Sequence, residues 1–84
     1  MKKITTEEIL RVINSVDNIT VSAEQTDESL IDLGMDSISF IQVVVGLEES
    51  FDCEIPDSKL LISEMDTVGK IFAVLKSIYE EQSL

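Results

Sequence analysis

The sequence predicts an all-α fold: a small four-helix bundle of three main helices and one short helix, with a long first loop. Three observations lead there. Apolar residues recur at intervals of three and four in three separate stretches, each preceded by a side chain able to cap a helix. No stretch reads convincingly as a strand. The composition, 44% apolar but only 5% aromatic over 84 residues, calls for a core of Ile, Leu and Val. A chain this short buries only about 60–65% of the surface its unfolded form exposes, which suits one modest core and one domain.

The first helix is announced by Ile4-Thr5-Thr6-Glu7-Glu8-Ile9. Thr5 as N-cap sets Glu8 at the third helical position, the arrangement of a capping box, and Ile4 and Ile9 fall where a hydrophobic staple would join them. Ile9, Leu10, Ile13 and Val16 continue one apolar face, so the helix is expected to reach about residue 16. Residues 17–35 lose that period. Asp17, Asn18, Ser22, Asp27, Ser29 and Gly34 are turn formers, whereas Ile19, Val21, Leu30, Ile31 and Leu33 are apolar enough to lie against the bundle. A connection near this length is uncommon in a compact domain and is more often functional or partly ordered by its own packing. It is expected to be flexible.

Phe40-Ile41-Gln42-Val43-Val44-Val45 is rich in β-branched residues and also fits a buried strand. Read helically, Phe40, Val44, Leu47 and Phe51 recur at intervals of four, three and four, with Ile38, Ile41 and Val45 as an adjacent stripe. Asp36 is a suitable N-cap. The pattern outlasts the usual strand, so a helix over residues 38–51 is the stronger expectation. Pro56 then fixes a turn or opens a short helix near Asp57–Leu61. Asp66 and Thr67 offer a cap for the last helix, in which Val68, Ile71, Phe72, Leu75, Ile78 and Tyr79 keep the helical spacing.

Seventeen acids against six bases give a net charge of −11, and no Lys or Arg occurs between Arg11 and Lys59. Phosphate neutralisation needs a basic patch, so nucleic acid is not an expected partner, and neither is an anionic membrane. A field of one sign favours rapid encounter with basic protein surfaces, although such charge also serves solubility alone. One cysteine, Cys53, rules out an internal disulfide. The leading segment Met1-Lys2-Lys3-Ile4 lacks the apolar run of a signal peptide, so a cytoplasmic protein is expected.

Histidine is absent, which removes the usual general base and the usual zinc ligand together. Cys53 sits between Asp52 and Glu54, whose charges oppose a thiolate, and reads as a small half-buried apolar residue. Counting from Asp27, Asp32 or Asp36 puts Ile38, Val43 or Leu47 where a calcium loop needs Glu. No catalytic residue and no metal ligand is assigned. The informative stretch is Asp32-Leu33-Gly34-Met35-Asp36-Ser37-Ile38. Gly34 permits a tight bend or close approach by a partner. Asp36 caps the helix, and Ser37 takes its first position, where free N–H groups and the helix dipole favour an attached phosphate. With no base to activate it, the Ser37 hydroxyl is expected to be another enzyme's substrate. Taken alone, Asp36-Ser37-Ile38 is an ordinary helix start.

Its surroundings are more specific. Ser29-Leu30-Ile31-Asp32-Leu33-Gly34-Met35-Asp36-Ser37-Ile38 resembles the phosphopantetheine attachment site of acyl and peptidyl carrier proteins. The likeness continues through Leu47-Glu48-Glu49-Ser50-Phe51-Asp52-Cys53-Glu54-Ile55-Pro56-Asp57 and Thr67-Val68-Gly69-Lys70-Ile71. It spans residues 5–81, so residues 1–84 read as a single carrier domain. The resemblance implies a bundle of the acyl-carrier type, monomeric and not itself an enzyme. It also implies a cofactor, 4'-phosphopantetheine, joined covalently to Ser37 from coenzyme A by a phosphopantetheinyl transferase. The arm would carry an acyl or aminoacyl group as a thioester. A loading enzyme and synthase or condensing enzymes would complete the set of partners. Asp36, Ile38, Gln42, Val45, Glu48 and Glu49 occupy the family's partner-reading positions, with Ile38 and Val45 suited to docking in apolar pockets.

The chain departs from the housekeeping fatty-acid carriers. Those have Leu after the modified Ser and more acids early in the second helix; here Ile38, Ser39 and Gln42 stand there, Phe40 is bulkier, and the stretch from Asp57 to Asp66 is longer. These features resemble stand-alone carriers of polyketide, nonribosomal-peptide or other specialised pathways. Fatty-acid synthesis remains the alternative within the family. A cofactor-free acidic interaction module is the alternative outside it.

Overall fold

The computed structural model describes residues 3–17 and 19–82. Asn18, counted above among the turn formers, lies outside them, as do Met1 and Lys2. Three α-helices make the bundle: α1 over Thr6–Asn14, α2 over Ser37–Phe51 and α3 over Val68–Gln82. Among the described residues there is no strand, so the β-branched run Ile41–Val45 is helical.

Each helix starts where a side-chain oxygen takes an otherwise unpaired amide. Thr5 Oγ1 accepts from the Glu8 N–H at 3.2 Å. Asp36 Oδ1 accepts from the Ser39 N–H at 2.8 Å. Thr67, rather than Asp66, caps α3, its Oγ1 accepting from the Lys70 N–H at 3.1 Å. The Glu8 carboxylate, expected to fold back on its own helix start, is engaged by Arg11 and by the hydroxyl of Ser50 on α2. A buried Ser50 thus ties the first two helices by their polar groups.

The core is aliphatic, as the composition requires. Ile9, Val12 and Ile13 of α1 meet Phe40, Val43, Val44, Leu47 and Phe51 of α2 and Val68, Ile71, Leu75 and Ile78 of α3. Leu10 and Val16, placed above on the inward face of the first helix, are only partly buried, and Val12 takes the central place. The helix stops at Asn14, short of the expected end, because the Ser15 hydroxyl bonds back to the Val12 carbonyl at 2.6 Å. Tyr79 Oη donates to the Phe51 carbonyl at 2.6 Å, fastening α3 to the end of α2.

The first loop is long, as expected, and also well anchored. Asn14 pairs with Val21 in both directions: its amide donates to the Val21 carbonyl and accepts from the Val21 N–H, each at 2.8 Å. Ile19, Val21 and Leu30 are buried, and Leu33 is half-buried. Ile31 departs from the expectation and stands exposed. The short fourth helix is present as two single 3₁₀ turns, Asp57–Lys59 and Ile62–Glu64. Leu61 between them is extended (φ −114°, ψ 127°), so Leu60 and Ile62 face the core while Leu61 faces outward.

At Gly46, α2 packs tightly against Val12 of α1. A Cβ built on it would lie 2.8 Å from Val12 Cγ1, and the stiff β-branched Val12 has little room to yield. Gly46→Val is expected to destabilise the protein by about 1–3 kcal/mol in urea unfolding. Gly46→Ala should cost less, since roughly 1 kcal/mol of helix propensity offsets the overlap.

Candidate functional site

Ser37 is aimed by the turn that precedes it. Leu30 is wholly buried, its N–H donates to the Asp66 carbonyl at 2.7 Å, and its own carbonyl accepts from Leu33 (3.1 Å) and Met35 (2.9 Å). The Gly34 N–H donates to the Ile31 carbonyl at 3.1 Å, and Gly34 adopts φ 115°, a conformation that disfavours side chains. The buried Met35 side chain closes the turn. Asp36 is then extended (φ −120°, ψ −173°), and the chain enters α2 at Ser37.

Ser37 is exposed, and its hydroxyl is not among the side chains with a hydrogen bond in the described residues. It stands on the first position of a helix whose leading amides carry the positive end of the peptide dipoles. The Asp36 carboxyl lies below the usual carboxylate range because the Ser39 N–H, and secondarily the Ser39 hydroxyl, bonds its charged form. That carboxylate is therefore already engaged at the helix end. An exposed hydroxyl at a helix start, with Gly34 three residues before it, is open to a partner and stands where free amides favour an anion. Among the described residues, no group of three or more His, Cys, Asp or Glu side chains is placed to hold a metal ion.

The positions expected to be read by partners divide. Asp36, Ile38, Gln42, Val45 and Glu49 are exposed, and Ile41, also exposed, stands beside them on α2. Glu48 does not share that role simply, because it is half-buried and accepts from the Ile55 N–H at 2.8 Å. It holds the chain as it leaves α2, where Asp52 takes the left-handed conformation (φ 52°) and the Cys53 N–H bonds the Glu48 carbonyl at 3.1 Å. Sequence reasoning missed this anchor; an acid near a helix end before an apolar turn was its only signal. Cys53 is half-buried as expected. Burial first, then the Glu48 and Asp52 carboxylates, pushes its thiol above the ordinary value; Glu48 takes the part expected of Glu54.

A family model described as a phosphopantetheine attachment site matches residues 7–75. The chain belongs to this family of carrier domains. A D-alanyl carrier protein of Lactobacillus helveticus is 35% identical over 78 residues, 92% of this chain and 98% of the relative. An acyl carrier protein of Tropheryma whipplei is 38% identical over 64 residues, 75% of this chain and 76% of the relative. Another from Acidothermus cellulolyticus is 41% identical over 68 residues, 75% and 79%. The cofactor of the family is 4'-phosphopantetheine, covalently attached. Carrier domains of this kind work with transferases and synthase enzymes and are generally not enzymes themselves. No helix among the described residues is long and apolar enough to cross a membrane.

Two measurements test the geometry. The Asp36 carboxyl is depressed in the folded state, so its stabilisation is complete above the ordinary carboxylate value, about 4, and is lost as pH falls through the lower folded value. Asp36→Asn keeps a capping oxygen without the charge, and its thermal midpoint should fall less steeply than that of the wild type below that pH. Separately, Glu48→Ala strands the Ile55 N–H and should cost about 1–3 kcal/mol in urea unfolding, whereas Glu48→Gln, which keeps an acceptor, should cost less.

Proposed function

We infer that this chain is a monomeric, cytoplasmic carrier domain spanning residues 1–84, that Ser37 bears its 4'-phosphopantetheine arm, and that it catalyses nothing itself. One observation carries the reading. Ser37 is the exposed first residue of α2, presented by a turn bonded at Leu30 and Gly34. In the attachment reaction Ser37 Oγ bonds to the phosphorus of coenzyme A that bears the pantetheine. The P–O–P linkage breaks, the adenosine bisphosphate leaves, and the hydroxyl proton goes to a base of the transferase, since this chain has no histidine. The terminal thiol of the arm supplies the thioester chemistry.

The chain's own residues position and present that arm. The α2 dipole and amides favour the phosphodiester at Ser37, while Ile38 and Val45, outward on the same helix, offer apolar contacts to partner enzymes. The expected partners are the transferase, an acyl- or aminoacyl-loading enzyme and a synthase or condensing enzyme. The pathway is read as a specialised one. The Lactobacillus relative named a D-alanyl carrier protein matches nearly end to end, which supports an aminoacyl cargo; the acyl carrier relatives support an acyl cargo as the second reading.

Incubation of the apo protein with coenzyme A, magnesium and a broad-specificity phosphopantetheinyl transferase should add one phosphopantetheine to the peptide containing Met35-Asp36-Ser37-Ile38, as read by intact and peptide mass. Ser37→Ala should stay folded, because Ala is a good helix former and the Asp36 cap is untouched, yet accept no arm. Cys53→Ser should still be modified. A folded wild-type chain left unmodified by several transferases, and unmodified in its host, would overturn the assignment. Intact mass of the native protein with its thioester preserved reads the cargo directly.

A further inference from the structure

Helix α2 is apolar on two sides. Phe40, Val43, Val44 and Leu47 face the core, yet Ile38 is 69%, Ile41 61% and Val45 46% exposed. An exposed apolar stripe of this kind, edged by polar Gln42 and Glu49, is the mark of an interaction surface. It does not end where the helix begins. Ile31, in the turn closed by the Gly34 N–H on the Ile31 carbonyl, is 50% exposed. Exposed isoleucines therefore stand on both sides of Ser37 along the chain, one in the turn and one in the helix.

The outward setting of Ile31 is built in. Leu30 before it is wholly buried and bonded to Asp66, and Met35 after it is buried and bonded to Leu30, so the intervening turn turns Ile31 away from the core. The neighbouring acids Asp32 and Asp36 and, further along α2, Glu49 are exposed. No base occurs in the sequence between Arg11 and Lys59, and Arg11, which shares a crevice with Glu49, is bonded to Glu8 and Ser50 on the α1 side of α2. The complement of such a surface is an apolar recess edged by Lys or Arg.

We propose that Ile31 is a recognition contact for the phosphopantetheinyl transferase that acts on Ser37, seated in an apolar recess with basic edges beside that enzyme's reacting centre. The proposal rests on Ser37 being the modified residue. An enzyme that forms a bond to Ser37 Oγ must close over the surface around it; among the described residues Ile31 is the exposed large apolar side chain in the turn before Ser37, and Ile38 is the first after it. Ile31 takes no part in the reaction itself. Its contribution is therefore the same in the ground and transition states, and appears in KM rather than kcat.

The test uses the full-length chain with a transferase that modifies the wild type. Steady-state modification is measured for Ile31→Thr, which keeps the β-branch but loses the apolar tip, and for Ile31→Val, which keeps most of it. Leu61→Ser is the control, since exposed Leu61 lines a crevice against Val74 of α3 instead. Ile31→Thr should raise KM about tenfold with kcat unchanged, while Ile31→Val and Leu61→Ser stay within about twofold of wild type. Circular dichroism and thermal midpoints of all three should match the wild type. A folded Ile31→Thr with wild-type KM overturns the proposal while leaving Ser37 as the modified residue. So does a wild-type dimer that Ile31→Thr dissociates without changing KM, which would assign the face to a second copy. If no transferase modifies the wild type, the reading of Ser37 fails, and this one with it.

Discussion

Much of the architecture hangs on the backbone of Leu30. Its N–H reaches across to the Asp66 carbonyl, at the junction where the 3₁₀ turns give way to α3. Its carbonyl gathers two amides from the turn that follows. A second bond, from the Gly69 N–H to the Thr26 carbonyl at 3.2 Å, runs parallel in function, using a first-turn amide of α3 that has no partner within its helix. The loop ahead of Ser37 is thus held by the start of the last helix. Since each buried, unpaired amide would cost more than a formed bond returns, the loop and the α3 junction are stable only together.

The helices were legible because each announces itself twice, by a cap and by a period. Thr5, Asp36 and Thr67 stand where the sequence places them; the buried face of α2 is the expected one with Val43 added, and that of α3 keeps Val68, Ile71, Leu75 and Ile78, with Phe72 and Tyr79 only partly buried. The position of Ser37 was legible for the same reason, because a capping Asp36 fixes the register of everything after it. Loops carry no such period. Ile19, Val21, Leu30 and Ile31 are equally apolar, and only the turn geometry decides that three go in and Ile31 goes out. The Asn14–Val21 pairing and the Glu48 anchor depend on contacts between residues seven apart, and residue type alone does not reveal them.

The same limit explains the short fourth helix. Pro56 starts a turn as expected, and the Lys59 N–H closes it on the Pro56 carbonyl at 2.9 Å. Leu60-Leu61-Ile62 then alternates in, out and in, the habit of extended chain, and a continuous helix cannot satisfy that demand. Met65, buried at the end of the second turn, completes this side of the core.

The seclusion of Cys53 bears on how long a cargo survives. Thioesters exchange with thiolates, and a thiolate within reach of a swinging arm would take the acyl group and strand it on the wrong sulfur. Half-buried, with the Glu48 and Asp52 carboxylates nearby, the Cys53 thiol is held above its ordinary value and keeps its proton at neutral pH. The residues that finish α2 thus also keep the one thiol of the chain in its less reactive, protonated form.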